Sequence, residues 1–216
     1  MNEIVKRLIF GTIYVAIMWF GTSYSEQTYT ALFFLLGLLS FYEMWKLRIG
    51  KSKVVAYIFV ITPFVLIQLL KTNFGFSKNE FNPSLILLML VLTWTFDTFA
   101  FLVGTRIGKT KILPSISPKK SWEGFIGGFI FCILAGVLSQ YFFRPHFENF
   151  SYVLIFSMCT ILPFTATTGD FIESFYKRQA NVKDSGTILP GHGGILDRMD
   201  AFMVTIPVLY ILSNLL

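Results

Sequence analysis

Seven apolar stretches, at about residues 8–22, 28–45, 54–70, 84–103, 122–142, 151–168 and 199–216, leave this chain few ways to fold. Each is near the roughly 17–25 residues that an α-helix needs to cross a bilayer. In hydrocarbon every backbone N–H and C=O must find a partner inside the protein, which admits helices and closed barrels only. Apolar runs this long read as helices. The expected fold is all-α, a polytopic integral membrane protein of about seven transmembrane helices. Charge content agrees: 14% of the 216 residues are charged, against about 25% in a soluble domain. Mean hydropathy is +0.65. Pro163 falls in the sixth run and removes a backbone donor there. Thr160, Thr165, Thr167 and Thr168 are close enough in sequence to serve the freed backbone.

The cations set an orientation. If the N-terminus is cytoplasmic, Lys6 and Arg7, the cations of residues 46–53, those of 106–120 and those of 177–198 share its side. Together they are 15 of the 18 Lys and Arg; only Lys71, Lys78 and Arg144 face the other way. Cytoplasmic loops carry such an excess. The net charge of +6 therefore reflects loop topology rather than a nucleic-acid partner. The polar loops 104–121 and 169–198 both fall on the cytoplasmic face. Lys6 and Arg7 lack a clear small-residue cleavage site beyond the run they precede, so the first segment reads as a retained helix. Cys132 and Cys159 lie inside apolar runs, which argues against a disulfide framework or a Cys metal site. No internal repeat or linker divides the chain. Residues 1–216 form a single membrane domain, with N-terminal helices over 1–83 and the chemistry over 84–216.

Residues 169–200 crowd five acidic and four basic side chains, a His and five Gly between two apolar segments. Charge at a membrane boundary is costly and usually functional. Asp170, Glu173, Ser174 and Lys177 share one face if the segment is helical; the bland reading is a solvated amphipathic surface. Further on come Lys183, Asp184 and the turn-rich Gly191-His192-Gly193-Gly194, whose backbone N–H groups suit a phosphate. An ordinary loop is the alternative. Asp197, Arg198 and Asp200 then enter the last apolar run. Asp170 and Asp197 are far enough apart for the loop to bring them together, and two carboxylates with phosphate oxygens are how Mg²⁺ is usually held. His192 reads as a loop-fixing residue rather than a base. His146 reads as an exterior loop residue, so a zinc site is not expected. In the other loop, Ser117, Lys119, Lys120 and Ser121 surround a rigid Pro118 and suit phosphate groups, unless the cations serve topology alone. Asp97 and Glu123 lie in or at apolar segments. Asp97 in particular is either functional or paired with a cation for folding.

The run from Ser174 through Lys177-Arg178, Lys183-Asp184, Gly186, Leu189-Pro190, His192-Gly193-Gly194 and Asp197-Arg198-Met199-Asp200 closely resembles the signature of phosphatidate cytidylyltransferases, also called CDP-diacylglycerol synthases. The upstream residues Ser117-Pro118-Lys119-Lys120-Ser121-Trp122-Glu123-Gly124 and Asp97-Thr98 are similar to the same family. Thr105 intervenes between Gly104 and Arg106, where the family usually has a basic residue directly after the glycine.

The resemblance implies transfer of CMP from CTP to phosphatidate, giving CDP-diacylglycerol and pyrophosphate for phospholipid synthesis in a bacterial-type plasma membrane. It implies Asp170 and Asp197 as metal ligands for Mg²⁺, with room for a second cation such as K⁺. Lys177 and Asp97 join these two carboxylates as catalytic candidates. Ser117, Lys119, Lys120, Ser121, Ser174, Lys177, Arg178, Lys183, Asp184, His192, Gly193, Gly194 and Arg198 are the expected substrate contacts. The partners are CTP, phosphatidate and membrane lipid, and a homodimer is compatible. Two alternatives stay open: a transporter of an anionic solute, and a CTP-dependent enzyme acting on an ether lipid or prenol.

Overall fold

The computed structural model describes residues 3–72, 80–142, 150–188 and 193–215. Lys78, Arg144 and His146, which entered the orientation argument, lie outside them. Helices α1 (Glu3–Ser23), α2 (Glu26–Leu47), α3 (Val54–Leu70) and α4 (Ser84–Ile107) come first. A short antiparallel hairpin follows, β1 (Lys111–Leu113) with β2 (Ser117–Ser121). Then come α5 (Trp122–Phe142), α6 (Tyr152–Gln179) and α7 (Leu196–Leu215). Each of the seven apolar stretches thus lies in a helix over its described residues. Four of these helices, α2, α4, α5 and α6, are both long and apolar enough to cross a membrane, and α1 and α3 contain shorter apolar helices. The chain is an integral membrane protein and is helical apart from the hairpin.

Two expectations are corrected. The segment 104–121 is not a plain loop: α4 runs on to Ile107, and residues 111–121 form the hairpin. Its stability comes from tertiary bonds rather than strand propensity. The Glu123 carboxylate accepts the Lys109 and Thr110 N–H groups at 3.1 and 3.0 Å, and Trp122 N–H donates to the Thr110 carbonyl at 2.9 Å. The segment 169–198 begins as helix, because α6 continues past the apolar run to Gln179.

α4 lies at the centre. Leu85, Ile86, Met89, Leu90 and Leu92 are fully buried, as befits a helix apolar on every side. α5 packs on it through glycines: a Cβ on Gly124 or Gly128 would come within 2.7 Å of the carbonyl oxygen of Ala100 or Phe96. Small residues allow such backbone approach, and it is van der Waals packing rather than hydrophobicity that holds helices together in lipid. On the opposite side of α5, Ile126, Ile130 and Val137 are exposed, the pattern of a lipid-facing surface. α6 passes through Pro163 without a break. The Thr160, Thr165 and Thr168 hydroxyls donate to carbonyls of their own preceding turn, at Phe156, Leu162 and Phe164. Thr165 also meets Thr205 of α7 at 2.9 Å.

Candidate active site

The polar end of α6 carries the centre. Continuation of the helix places Asp170, Glu173, Ser174 and Lys177 on one face, as their spacing requires. Most of this face does not meet solvent: Glu173 is 0% exposed, and Ser174 and Lys177 are also buried, while Asp170 is part-exposed. The Ser174 hydroxyl donates to Asp170 Oδ1 at 3.0 Å. α7 comes alongside because Gly169 has no side chain: a Cβ there would collide with the Asp200 carbonyl.

Lys177 ties the two helices together. Its ammonium pairs with Glu173 Oε2 on its own helix and with Asp197 Oδ1 of α7 at 2.6 Å. Asp197 Oδ2 accepts the Ser185 N–H at 2.8 Å, the Ser185 hydroxyl at 3.0 Å and the Gly194 N–H at 2.7 Å. That oxygen is saturated, and only Oδ1 has capacity left. Carboxylate oxygens of Asp170, Glu173 and Asp200 all lie within 4.8 Å of one another. Apart from the Lys177 ammonium on Oε2, neither buried Glu173 oxygen has a partner among the described residues. Three hard oxygen donors, one of them a buried carboxylate with Oε1 unpartnered, fit a divalent cation such as Mg²⁺.

Asp170, Asp197 and Asp200 of this group border a cavity of about 730 Å³ between α4, the hairpin, α6 and α7. Pockets of about 300–1,000 Å³ hold small-molecule ligands. Asp97, Asp170, Asp197 and Asp200 line it together with Lys119, Lys120 and Arg198. Lys120 reaches across from the hairpin to pair with Asp170 Oδ2 at 2.5 Å. Asp97 and Arg198 also line a neighbouring cavity of about 320 Å³, whose other walls are Phe10, Gly11, Tyr14 and Val15 of α1 and Trp94 and Thr98 of α4, mostly apolar. The Tyr14 hydroxyl donates to the Arg198 carbonyl at 3.3 Å.

Other sequence candidates fall elsewhere. Ser121 borders the cavity, but its hydroxyl accepts the Gly124 N–H at 3.2 Å and so caps α5. Ser117 is on the hairpin outside the cavity wall. The Arg178 guanidinium donates to the Val182 carbonyl at 2.8 Å. Lys183 and Asp184 are exposed on the connecting loop. Gly193 has φ +82°, the left-handed region that favours glycine. The Gly194 N–H is directed at Asp197, which leaves it no donor for a phosphate. His192 lies outside the described residues.

One residue was not anticipated. Glu43 of α2, 2% exposed, accepts the Ile195 N–H at 3.0 Å, the Leu196 N–H at 2.8 Å and the Ser185 hydroxyl at 2.7 Å. An acid within an apolar run was the available signal. Glu173 and Asp200 were visible as charges but not as members of one cluster.

The family model described as the cytidylyltransferase family matches residues 5–216. Among curated proteins, the chain is similar to phosphatidate cytidylyltransferases of Rickettsia typhi, 35% identical over 97% of this chain and 91% of that protein, and of Rickettsia felis, 32% identical over 99% and 94%. A third, from Rickettsia bellii, is 42% identical over 64% of this chain and 62% of its own length.

Proposed function

The chain belongs to the cytidylyltransferase family, and from that premise we infer that it transfers the CMP group of CTP to phosphatidate, giving CDP-diacylglycerol and pyrophosphate. The observation that carries this reading is the single cavity in which Asp170, Asp197 and Asp200 face Lys119, Lys120 and Arg198. A reaction between two highly charged phosphates needs both signs of protein charge: cations against the phosphates and carboxylates to hold a metal.

A phosphate oxygen of phosphatidate attacks the α-phosphorus of CTP, and the bond from that phosphorus to the oxygen of the β-phosphate breaks. The pair of electrons leaves with pyrophosphate. The second pKa of a phosphomonoester is near 6, so the nucleophile is largely dianionic at neutral pH. No general base is required, and His192 is given none of that work. The difficulty is electrostatic and positional.

Asp170 and Asp197 are assigned as poles of a Mg²⁺ site to which Glu173 and Asp200, beside Asp170, would add oxygen donors; a second cation such as K⁺ would share these oxygens. Held by these carboxylates, a metal ion would supply positive charge against the phosphates of the triphosphate. Lys120, held on the hairpin and paired with Asp170, exchanges that carboxylate for a phosphate when substrate arrives. Lys119 and Arg198 supply further positive charge on the two walls, and Lys177 holds Asp197. Asp97, between the two cavities, orients Arg198 or its ligand.

Phosphatidate enters through the apolar space between α1 and α4, CTP through the mouth beside the hairpin. The seven helices all cross the bilayer, with the N-terminus, hairpin and 180–195 loop cytoplasmic. The 15 to 3 division of cations supports this orientation. Purified protein in detergent with CTP, phosphatidate and Mg²⁺ should release pyrophosphate. Chelation with EDTA should stop release and Mg²⁺ should restore it. Absence of pyrophosphate release from folded protein would refute the assignment.

A further inference from the structure

Glu43 stands apart from the cavity, yet it is among the most heavily bonded carboxylates in the molecule. Its oxygens take two backbone N–H groups at the start of α7 and one hydroxyl. Among the described residues these partners are all neutral. The first N–H groups of a helix have no partner within it, and a carboxylate is well placed there because the positive end of the helix dipole lies beside it. Usually a residue just before the helix supplies that oxygen. Here it comes from α2, more than 150 positions earlier.

The surrounding chain is shaped to this carboxylate. A Cβ on Gly186 would collide with Glu43 Oε1, and a Cβ on Gly194 would meet both Glu43 Oε2 and the Ser185 hydroxyl. Ser185 is the link to the reaction. Its hydroxyl has one hydrogen to give and its oxygen lies nearer Glu43, at 2.7 Å, than Asp197, at 3.0 Å, while its N–H donates to Asp197. Thus Glu43 holds Ser185 and the first turn of α7, and these in turn hold Asp197.

We propose that Glu43 is a positioning residue for the transfer: it clamps Ser185 and the N-terminus of α7 from α2, and so fixes the Asp197 carboxylate at the cavity wall with Oδ1 on Lys177. The proposal rests on the cytidylyltransferase reading. The clamp itself, however, has a readout independent of activity.

The experiment compares wild type, Glu43→Gln, Ser185→Ala and the double variant in detergent. Steady-state kinetics are read together with amide hydrogen exchange. In Glu43→Gln an NH₂ group replaces one acceptor and faces a donor, so at least one of the three bonds is lost. The turnover number should fall about 10- to 100-fold, with KM for CTP changed by less than about 3-fold. Exchange should quicken in peptides covering 184–199 and stay as in wild type in α4 and α5. Ser185→Ala leaves the helix bonds intact and should lose less, and the two changes should be less than multiplicative because they act along one chain. Wild-type turnover in Glu43→Gln overturns the proposal. So does exchange that quickens throughout the molecule, which marks general destabilisation. If Glu43→Gln does not fold, Ser185→Ala decides: wild-type turnover and exchange at 184–199 overturn the link to Asp197. Failure of the wild type to release pyrophosphate refutes the cytidylyltransferase reading instead, and leaves the exchange comparison standing as a test of the clamp.

Discussion

Replacing Lys177 with Met should unfold this protein more readily than any other single change near the cavity. The ammonium lies between two carboxylates, and the side chains of Lys177, Glu173 and Asp197 are 10%, 0% and 6% exposed. Solvent does little to screen charges so enclosed. Removing one partner of a buried ion pair costs about 3–5 kcal/mol, because the other charge is left uncompensated. The two stranded carboxylates are not equal. Asp197 keeps two backbone N–H bonds on Oδ2 and shares the Ser185 hydroxyl with Glu43, whereas without Lys177 Glu173 has no partner on either oxygen among the described residues. Most of the cost therefore belongs to Glu173. In a chain of this length each kcal/mol moves the melting midpoint by roughly 2–4 °C, so Lys177→Met should melt roughly 6–20 °C lower. Adding Glu173→Gln should recover more than half of that loss, because the worst-placed charge is gone. Turnover should not recover with it, since Asp197 has still lost its tether. The assay is a thermal melt in detergent at one fixed scan rate, paired with pyrophosphate release. A Lys177→Met melt within about 2 °C of wild type, or a double variant no more stable than the single one, refutes the reasoning.

Three other outcomes are expected. Asp170→Asn and Asp197→Asn should each abolish pyrophosphate release; melting should stay close to wild type for the part-exposed Asp170 and fall for Asp197, whose amide must face either the Lys177 ammonium or the donors on Oδ2. Lys120→Met should change stability by less than about 1 kcal/mol, because both side chains of its pair with Asp170 are 28% exposed. Its kcat/KM should nevertheless fall by about 10²-fold or more, as for other lost charge clamps. Gly169→Ala should destabilise by about 1–3 kcal/mol, since its Cβ must push α7 off α6 against a backbone carbonyl that cannot rotate away; unchanged melting would show that the helices have slack there.

The helices were legible because the solvent of this fold imposes length and hydrophobicity, and both are local properties of sequence. Where local rules stop, so did the reading. Past residue 168 the apolar run ends, and only the spacing of Asp170, Glu173, Ser174 and Lys177 hinted that α6 continues. The hairpin left no trace in Lys- and Pro-containing residues 111–121, because Glu123 and Thr110 fix it through space. Asp170 and Asp197 were singled out and do border one cavity. The compact cluster of Asp170 with Glu173 and Asp200 depends on the register of α6 against α7, which no spacing within either segment reveals. Glu43 was missed for the plainest reason: an acid near the end of an apolar run resembles an interfacial charge until its donors are known.

The distance in sequence between Glu43 and its donors has a consequence in time. A ribosome adding about 5–20 residues per second completes α2 roughly 7–28 s before Ser185, the first of its donors, exists. For that interval the carboxylate has none of the three donors that finally hold it. The nascent chain must therefore keep this part of α2 near water or beside the insertion machinery. A chain that stalls before α7 displays a bare acid in a membrane helix, a mark by which quality control could tell it from the finished enzyme.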